Sequence, residues 1–262
     1  MKTVLITGGS SGIGYAMSRR FARAGYRLLW VALEERELIK AKAALQTEFN
    51  HVQVDFMAID LSKPDSAQAV HNWVVLTGLT VDTLINNAGF GTYGYVSDIP
   101  VEREVAMIHT NVLATYRLTR LFLDDLLTRD AGTIIQIASN SAFQPVARMS
   151  TYAATKAFVY QFGRGLQEEL QLRKSKVRCL TVCPSAISDT AFKSANGLDG
   201  VRTFKGLATT TAEEVAGDVW NAYTSGRDFI VTGARMRFLF GIRRLIPYGL
   251  QQWLVRRETA TA

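Results

Sequence analysis

Cysteine, histidine and proline are all scarce in this chain of 262 residues, and each shortage removes a class of protein. The two cysteines, Cys179 and Cys183, fall in one apolar run. They exclude a disulfide-stapled scaffold and read as small core side chains in a reducing compartment. His51, His71 and His109 stand apart from one another, so no metal-binding spacing exists and no metal is expected. With five prolines, no Ser/Gly-rich or charge-block stretch and no internal repeat, nothing marks a linker or a disordered arm. The chain also lacks an apolar run long enough to cross a bilayer, and Met1–Thr7 is too short for a signal peptide before its glycine turn. The expectation is one large cytoplasmic domain with a substantial core.

Acid is missing from one place in particular. Between Ala234 and Arg257 stand six arginines, Arg235, Arg237, Arg243, Arg244, Arg256 and Arg257, with no carboxylate among them, and they account for all but one unit of the net charge of +7. The remainder is nearly neutral, which argues against a nucleic-acid-binding surface spread over the fold. The chain therefore divides into a domain over residues 1–233 and a basic, apolar extension over 234–262. Gly241, Pro247 and Gly249 break the extension into short helical pieces, too interrupted and too charged to span a membrane. Two readings of it stay open. It closes a pocket or packs on a partner subunit, or it is a peripheral membrane anchor with Phe238 and Trp253 in the headgroup boundary and arginines on anionic lipid.

What is present is a repeating strand and helix pattern. Val4-Leu5-Ile6 reads as a buried strand, and the turn Thr7-Gly8-Gly9-Ser10-Ser11-Gly12-Ile13-Gly14 leads into a helix from Tyr15 to about Ala24. Glycines there permit a tight turn and close approach of a pyrophosphate to the helix N-terminus. Strands follow at Leu28–Ala32, Val52–Ile59, Thr83–Ile85, Gly132–Ala138 and Val177–Val182, separated by helices from Glu35 to about Phe49, up to Leu76, and from about Val101 to Leu127. This is a single-domain α/β fold, a doubly wound (Rossmann) parallel sheet flanked by helices.

The chemistry-bearing residues fall at strand ends. Leu33 and Glu34 follow the second strand, where a carboxylate accepts from a ribose 2′-hydroxyl and repels a 2′-phosphate; a solvated first-turn Glu is the plainer alternative. Asp60 and Leu61 end the third strand, within reach of an adenine. Asn86-Asn87-Ala88-Gly89 offers small residues and amides for close approach to a ligand. Asn111 sits mid-helix, where an Asn turns to backbone groups, and Ser139 lies at the carboxyl end of the fifth strand. Tyr152-Ala-Ala-Thr-Lys156 puts a phenol and an ammonium on one helix face, and a nearby cation favours the phenolate, which makes Tyr152 a candidate general acid and base. Alone that pair describes an ordinary solvated face.

Together, Thr7-Gly8-x-x-x-Gly12-x-Gly14, Asn86-Asn87-Ala88-Gly89, Asn111, Ser139 and Tyr152-x-x-x-Lys156 resemble the short-chain dehydrogenases/reductases over about residues 1–233. Gly89-Phe90-Gly91-Thr92-Tyr93-Gly94 and Phe143-Gln144-Pro145 look like the bacterial branch of DltE-type oxidoreductases. The resemblance implies an NAD(P)-dependent enzyme acting on a ketone or secondary alcohol, with a non-catalytic nucleotide-binding sensor or scaffold as the alternative. It implies that Tyr152 exchanges the proton with the substrate oxygen, Ser139 hydrogen-bonds that oxygen, Lys156 holds the ribose and lowers the Tyr152 pKa, and Asn111 positions a water leading from Lys156 to solvent. Cofactor contacts fall on Gly8, Ser10, Ser11, Gly12, Ile13, Gly14, Leu33, Glu34, Asp60, Leu61, Asn87, Ala88, Gly89, Tyr152, Lys156, Pro184 and Ile187. An apolar substrate is expected among Phe90, Tyr93, Ser139, Phe143, Met149, Ser185 and the loop 188–207. Two departures matter: Pro184-Ser185 replaces the family's Pro-Gly, with Thr190 one place late, and Ala32 and Leu33 carry neither the acid nor the arginine that marks cofactor choice. Glu34 tilts the expectation toward NAD(H), and a homodimer or homotetramer is implied.

Overall fold

A computed structural model describes residues 1–189, 201 and 209–259; most of the loop 188–207, with Thr190, lies outside the described residues. The described strands are β1 (Thr3–Thr7), β2 (Arg27–Ala32), β3 (Val54–Ala58), β4 (Thr83–Asn86), β5 (Thr133–Ile137), β6 (Arg178–Cys183) and β7 (Phe229–Val231). They pair in parallel in the order β3-β2-β1-β4-β5-β6-β7. The order reverses between β1 and β4, so a crevice opens at the carboxyl ends of those two strands.

Near-continuous apolar strands are what a sheet covered on both faces requires. Successive side chains of β1 serve opposite layers: Val4 and Ile6 pack with helices α1 (Gly12–Arg23), α2 (Glu35–Glu48) and α7 (Ala212–Thr224). Leu5 packs on the other face with α3 (Ser66–Leu76), α5 (Thr115–Arg129) and α6 (Ser150–Leu172). Cys179 and Cys183 are buried free thiols within this packing. Helix α7 is stopped at its start by a capping box between Thr211 and Glu214.

One long helix expected from Val101 to Leu127 is interrupted. α4 (Val101–Ile108) passes through a π-helical turn, His109–Ala114, into α5, and Asn111 lies inside that turn. A π turn carries one residue more than an α turn and recurs at functional sites. The extension forms α8 (Ala234–Ile242), a short 3-10 turn (Arg243–Leu245) and α9 (Tyr248–Glu258), with Pro247 as the N-cap of the last.

Helix α6 lies against the sheet at Gly163, where an added Cβ would stand 2.4 Å from Thr181 Oγ1 and 3.2 Å from Gln136 Cγ. Two residues on, Gly165 faces open space. Gly163→Ala is therefore expected to lower stability by about 1–3 kcal/mol, from overpacking. Gly165→Ala should raise it by up to about 1 kcal/mol through helix propensity. Urea denaturation of both variants checks the contrast, and equal effects would show that the sheet yields at Gly163.

Candidate active site

Thr7 ties two of the loops together. Its hydroxyl accepts from the amides of Asn87 and Ala88, both at 3.0 Å, and donates to the Ile85 carbonyl at 3.3 Å. The Asn87 side chain donates back to the Thr7 carbonyl at 2.9 Å. The glycine loop and the Asn-Asn-Ala-Gly loop thus form one wall of the crevice. Gly8 and Gly12 take φ of +68° and +51°, which favour glycine, and a Cβ at Gly14 would stand 2.0 Å from the Gly8 carbonyl oxygen. Ser11 precedes α1 without a side-chain cap bond. The first-turn N–H groups of α1 and this side-chain-free cradle fit a pyrophosphate.

At the other end of the crevice, Asp60 accepts from the Ser62 amide at 2.8 Å. Burial pushes its carboxyl up, but the bonds from Ser62 together with the Lys63 charge outweigh that and hold it below its ordinary value. Leu61 is buried, whereas Leu33 is exposed and Glu34, the residue before α2, makes no side-chain cap bond. Pro184 is buried and accepts from the Asn140 amide at 2.9 Å, while Ile187 pairs with Thr210 in an isolated bridge.

The four expected catalytic residues converge. Asn111 Nδ2 donates to the Phe90 carbonyl at 2.9 Å and to Thr155 Oγ1 at 3.1 Å, and its Oδ1 accepts from the Phe90 amide at 3.1 Å. Ser139 is an extended residue before the 3-10 turn Asn140–Phe143; its hydroxyl accepts from the Ser141 amide at 3.2 Å, donates to Asn140 Oδ1 at 3.3 Å and lies close enough to the Tyr152 phenol to act on its charge. Lys156 Nζ, nearly wholly buried, donates to the Ile137 carbonyl at 3.0 Å and lies 5.9 Å from the Tyr152 ring centroid.

The electrostatics differ from the sequence expectation. Burial pushes the Tyr152 phenol up to about 12, against the opposing influence of the Ser139 hydroxyl. Burial also pushes the Lys156 ammonium down to about 8, with the nearby Cys183 acting the other way. In the protein alone, desolvation therefore outweighs any lowering of the phenol by Lys156.

Of the expected substrate residues, Phe90, Tyr93 and Met149 gather with Tyr152, Met107, Val146 and Val201 in one apolar cluster. Phe143 belongs to another, with its ring 4.5 Å from that of Phe240 on α8 and the Arg243 guanidinium 4.9 Å above it. The Ser185 hydroxyl bonds Thr210 at 2.8 Å and its amide donates to Thr232 at 3.4 Å, so this residue fastens the end of β6 to that of β7. Two residues of this region carry no signal in the sequence analysis: Val255, which packs on the Tyr93 and Met149 cluster, and Arg148. Arg148 (φ +64°) donates to Tyr93 Oη at 3.0 Å, and Tyr93 in turn donates to the Thr259 carbonyl at 2.8 Å. Helical spacing of Val255 and Thr259 was the available signal for an inward face, but not for what it meets.

The short chain dehydrogenase family model matches residues 2–199. The chain belongs to the short-chain dehydrogenases. Among curated relatives, it is 32% identical over 238 residues to the 1-deoxy-11-beta-hydroxypentalenate dehydrogenase of Streptomyces arenae, covering 89% of this chain and 83% of that one. A solved short-chain dehydrogenase from Sphingobium yanoikuyae in complex with NADPH superposes with a TM-score of 0.79 at 30% identity, covering 96% of each chain. A bulky-bulky ketone specific alcohol dehydrogenase from Comamonas testosteroni superposes with a TM-score of 0.76 at 26% identity, covering 96% of this chain and 94% of that one. Membership in this short-chain dehydrogenase family places the chemistry in nicotinamide-dependent oxidoreduction.

The depressed Lys156 makes stability depend on pH with a definite sign. Between its folded value of about 8 and the ordinary 10.5, the unfolded chain binds more protons, so the cost of burying this charge is full below pH 8 and relieved as pH rises. Measured by urea denaturation without nucleotide, wild type should gain on Lys156→Met by about 3 kcal/mol from pH 7 to pH 10.5. A pH-independent difference would show that Lys156 titrates normally.

Proposed function

We propose that the protein is an NAD(P)-dependent oxidoreductase that interconverts an apolar, bulky ketone and its secondary alcohol. The observation that carries this reading is the buried Tyr152 phenol, one helical turn from the buried Lys156, near Ser139 and within the apolar cluster of Phe90, Tyr93 and Met149. When bound, the nicotinamide supplies the hydride; binding, orientation and the proton fall to the chain. Tyr152, protonated at neutral pH, gives its proton to the substrate oxygen in reduction and takes it back in oxidation, and Ser139 hydrogen-bonds the same oxygen. Lys156 holds the ribose hydroxyls. Asn111 has its side chain committed to Phe90 and Thr155, so it acts through its π-helical turn, holding a water between Lys156 and solvent. The similarity to a ketone-specific enzyme named for bulky substrates supports the substrate class.

For the cofactor, Glu34 stands exposed just past β2 with no capping role, which favours a ribose 2′-hydroxyl and hence NAD(H). The NADPH-bound relative supports the opposite choice, with Arg36, exposed in the first turn of α2, as the phosphate partner. For assembly we propose a cytoplasmic homodimer or homotetramer paired through α4, α5 and α6. Val101, Val105, Ile108, Tyr116 and Phe158 there leave apolar surface exposed.

Tyr152→Phe keeps the ring and removes the proton donor. Turnover should fall by about 10²–10⁴-fold with a panel of ketones while nucleotide affinity stays within about two-fold. Retained turnover would remove Tyr152 from the chemistry. Titrating the same variant with NADH and NADPH at one ionic strength checks the cofactor reading: tighter NADH agrees with Glu34, and tighter NADPH assigns the phosphate to Arg36 or the serines at 10 and 11.

A further inference from the structure

The extension has two faces. Inward, Met236 and Phe240 of α8 pack on the cluster of Val159, Cys183 and Phe143, and Arg243 stacks 3.7 Å above the Phe240 ring centroid. Val255 and Thr259 at the end of α9 reach the substrate cluster, the latter through Tyr93. Outward stands a set of large apolar side chains: Phe238 67% exposed, Leu245 83% and Trp253 54%, with Leu239, Leu250 and Leu254 beside them. Scattered exposed apolar residues are ordinary, but six within seventeen positions on adjoining helices form a patch.

Charge identifies what the patch fits. Arg256 and Arg257 are exposed on α9, with Arg257 5.7 Å above the Trp253 ring, and Glu258 is the first carboxylate in the sequence after Asp228. A second copy of this chain would bring the same unbalanced arginines against themselves, whereas an anionic lipid surface complements both the cations and the apolar rings. No helix among the described residues is long and apolar enough to cross a membrane, so such a contact lies in the interface plane.

We propose that the outer face of α8 and α9 docks on anionic phospholipid, seating Phe238, Leu245, Leu250 and Trp253 in the headgroup boundary. The inner face of α9 then places Val255 and the Tyr93 clasp between the bilayer and Tyr152. Resting on the apolar-substrate reading above, this gives a lipid-dissolved ketone a route that avoids bulk water.

The test uses the full chain and co-sedimentation with vesicles of phosphatidylcholine alone or with about one third phosphatidylglycerol, across a salt series. Binding to the anionic vesicles only, weakening as salt rises, is expected. Arg256→Glu with Arg257→Glu should weaken it on the order of ten-fold or more. Trp253→Ser with Leu254→Ser should weaken it at low salt while circular dichroism stays native. Protein left in the supernatant with anionic vesicles at low salt overturns the proposal. So do variants that bind as wild type, or a fall in light-scattering mass in the serine variant, which gives the patch to a second copy. Reduction of a water-soluble ketone without vesicles is measured in parallel, so loss of lipid binding and loss of the enzymatic reading are told apart.

Discussion

The site depends on how closely three segments approach at Gly89. A Cβ there would stand 2.7 Å from Asn111 Oδ1 and 3.4 Å from Lys156 Nζ, so only a bare backbone lets the loop after β4 pass between the π-helical turn and α6. Everything that faces the crevice is registered against that passage. Asn111 grips Phe90 on one side and Thr155 on the other, which fixes the height of Tyr152 and Lys156 on α6. Thr7 fixes the same loop to the start of α1. The glycine cradle and the Tyr152 phenol are therefore held by one set of contacts from Thr7 and Asn111, fixed before any ligand arrives.

Burial controls the charges in this frame. Tyr152 and Lys156 face each other across 5.9 Å in a region where water is excluded, and each is pushed toward its neutral form. A phenol kept protonated is an acid ready for reduction. A lysine that titrates near neutrality responds strongly to any anion or hydroxyl placed beside it, because low dielectric strengthens every new contact.

Much of this was legible in the sequence because its signals are local. Runs of β-branched and apolar residues marked Val4-Leu5-Ile6 as a buried strand, which the structure packs between two layers, and the glycine spacing marked the cradle. Strand and helix ends came out within a few residues, as with β3 at Val54–Ala58 against an expected Val52–Ile59. The π-helical turn was hidden, since Asn111 signals it only through contacts with Phe90 and Thr155 made in three dimensions. The sign of the Tyr152 shift was hidden for the same reason: spacing shows the lysine but not the loss of water. The separation of Phe143 from Phe90 and Tyr93 was likewise decided by Phe240, almost a hundred residues away.

The bond from Tyr93 to the Thr259 carbonyl spans 166 residues of chain. A contact of that separation forms only after the strands between have paired, because closing so large a loop brings nothing until its ends are already delivered to one place. The sheet and the cradle need none of it. The wall of the substrate cluster is held by Val255 and by this bond to the last described residue, so it opens locally at less cost than the paired strands behind it.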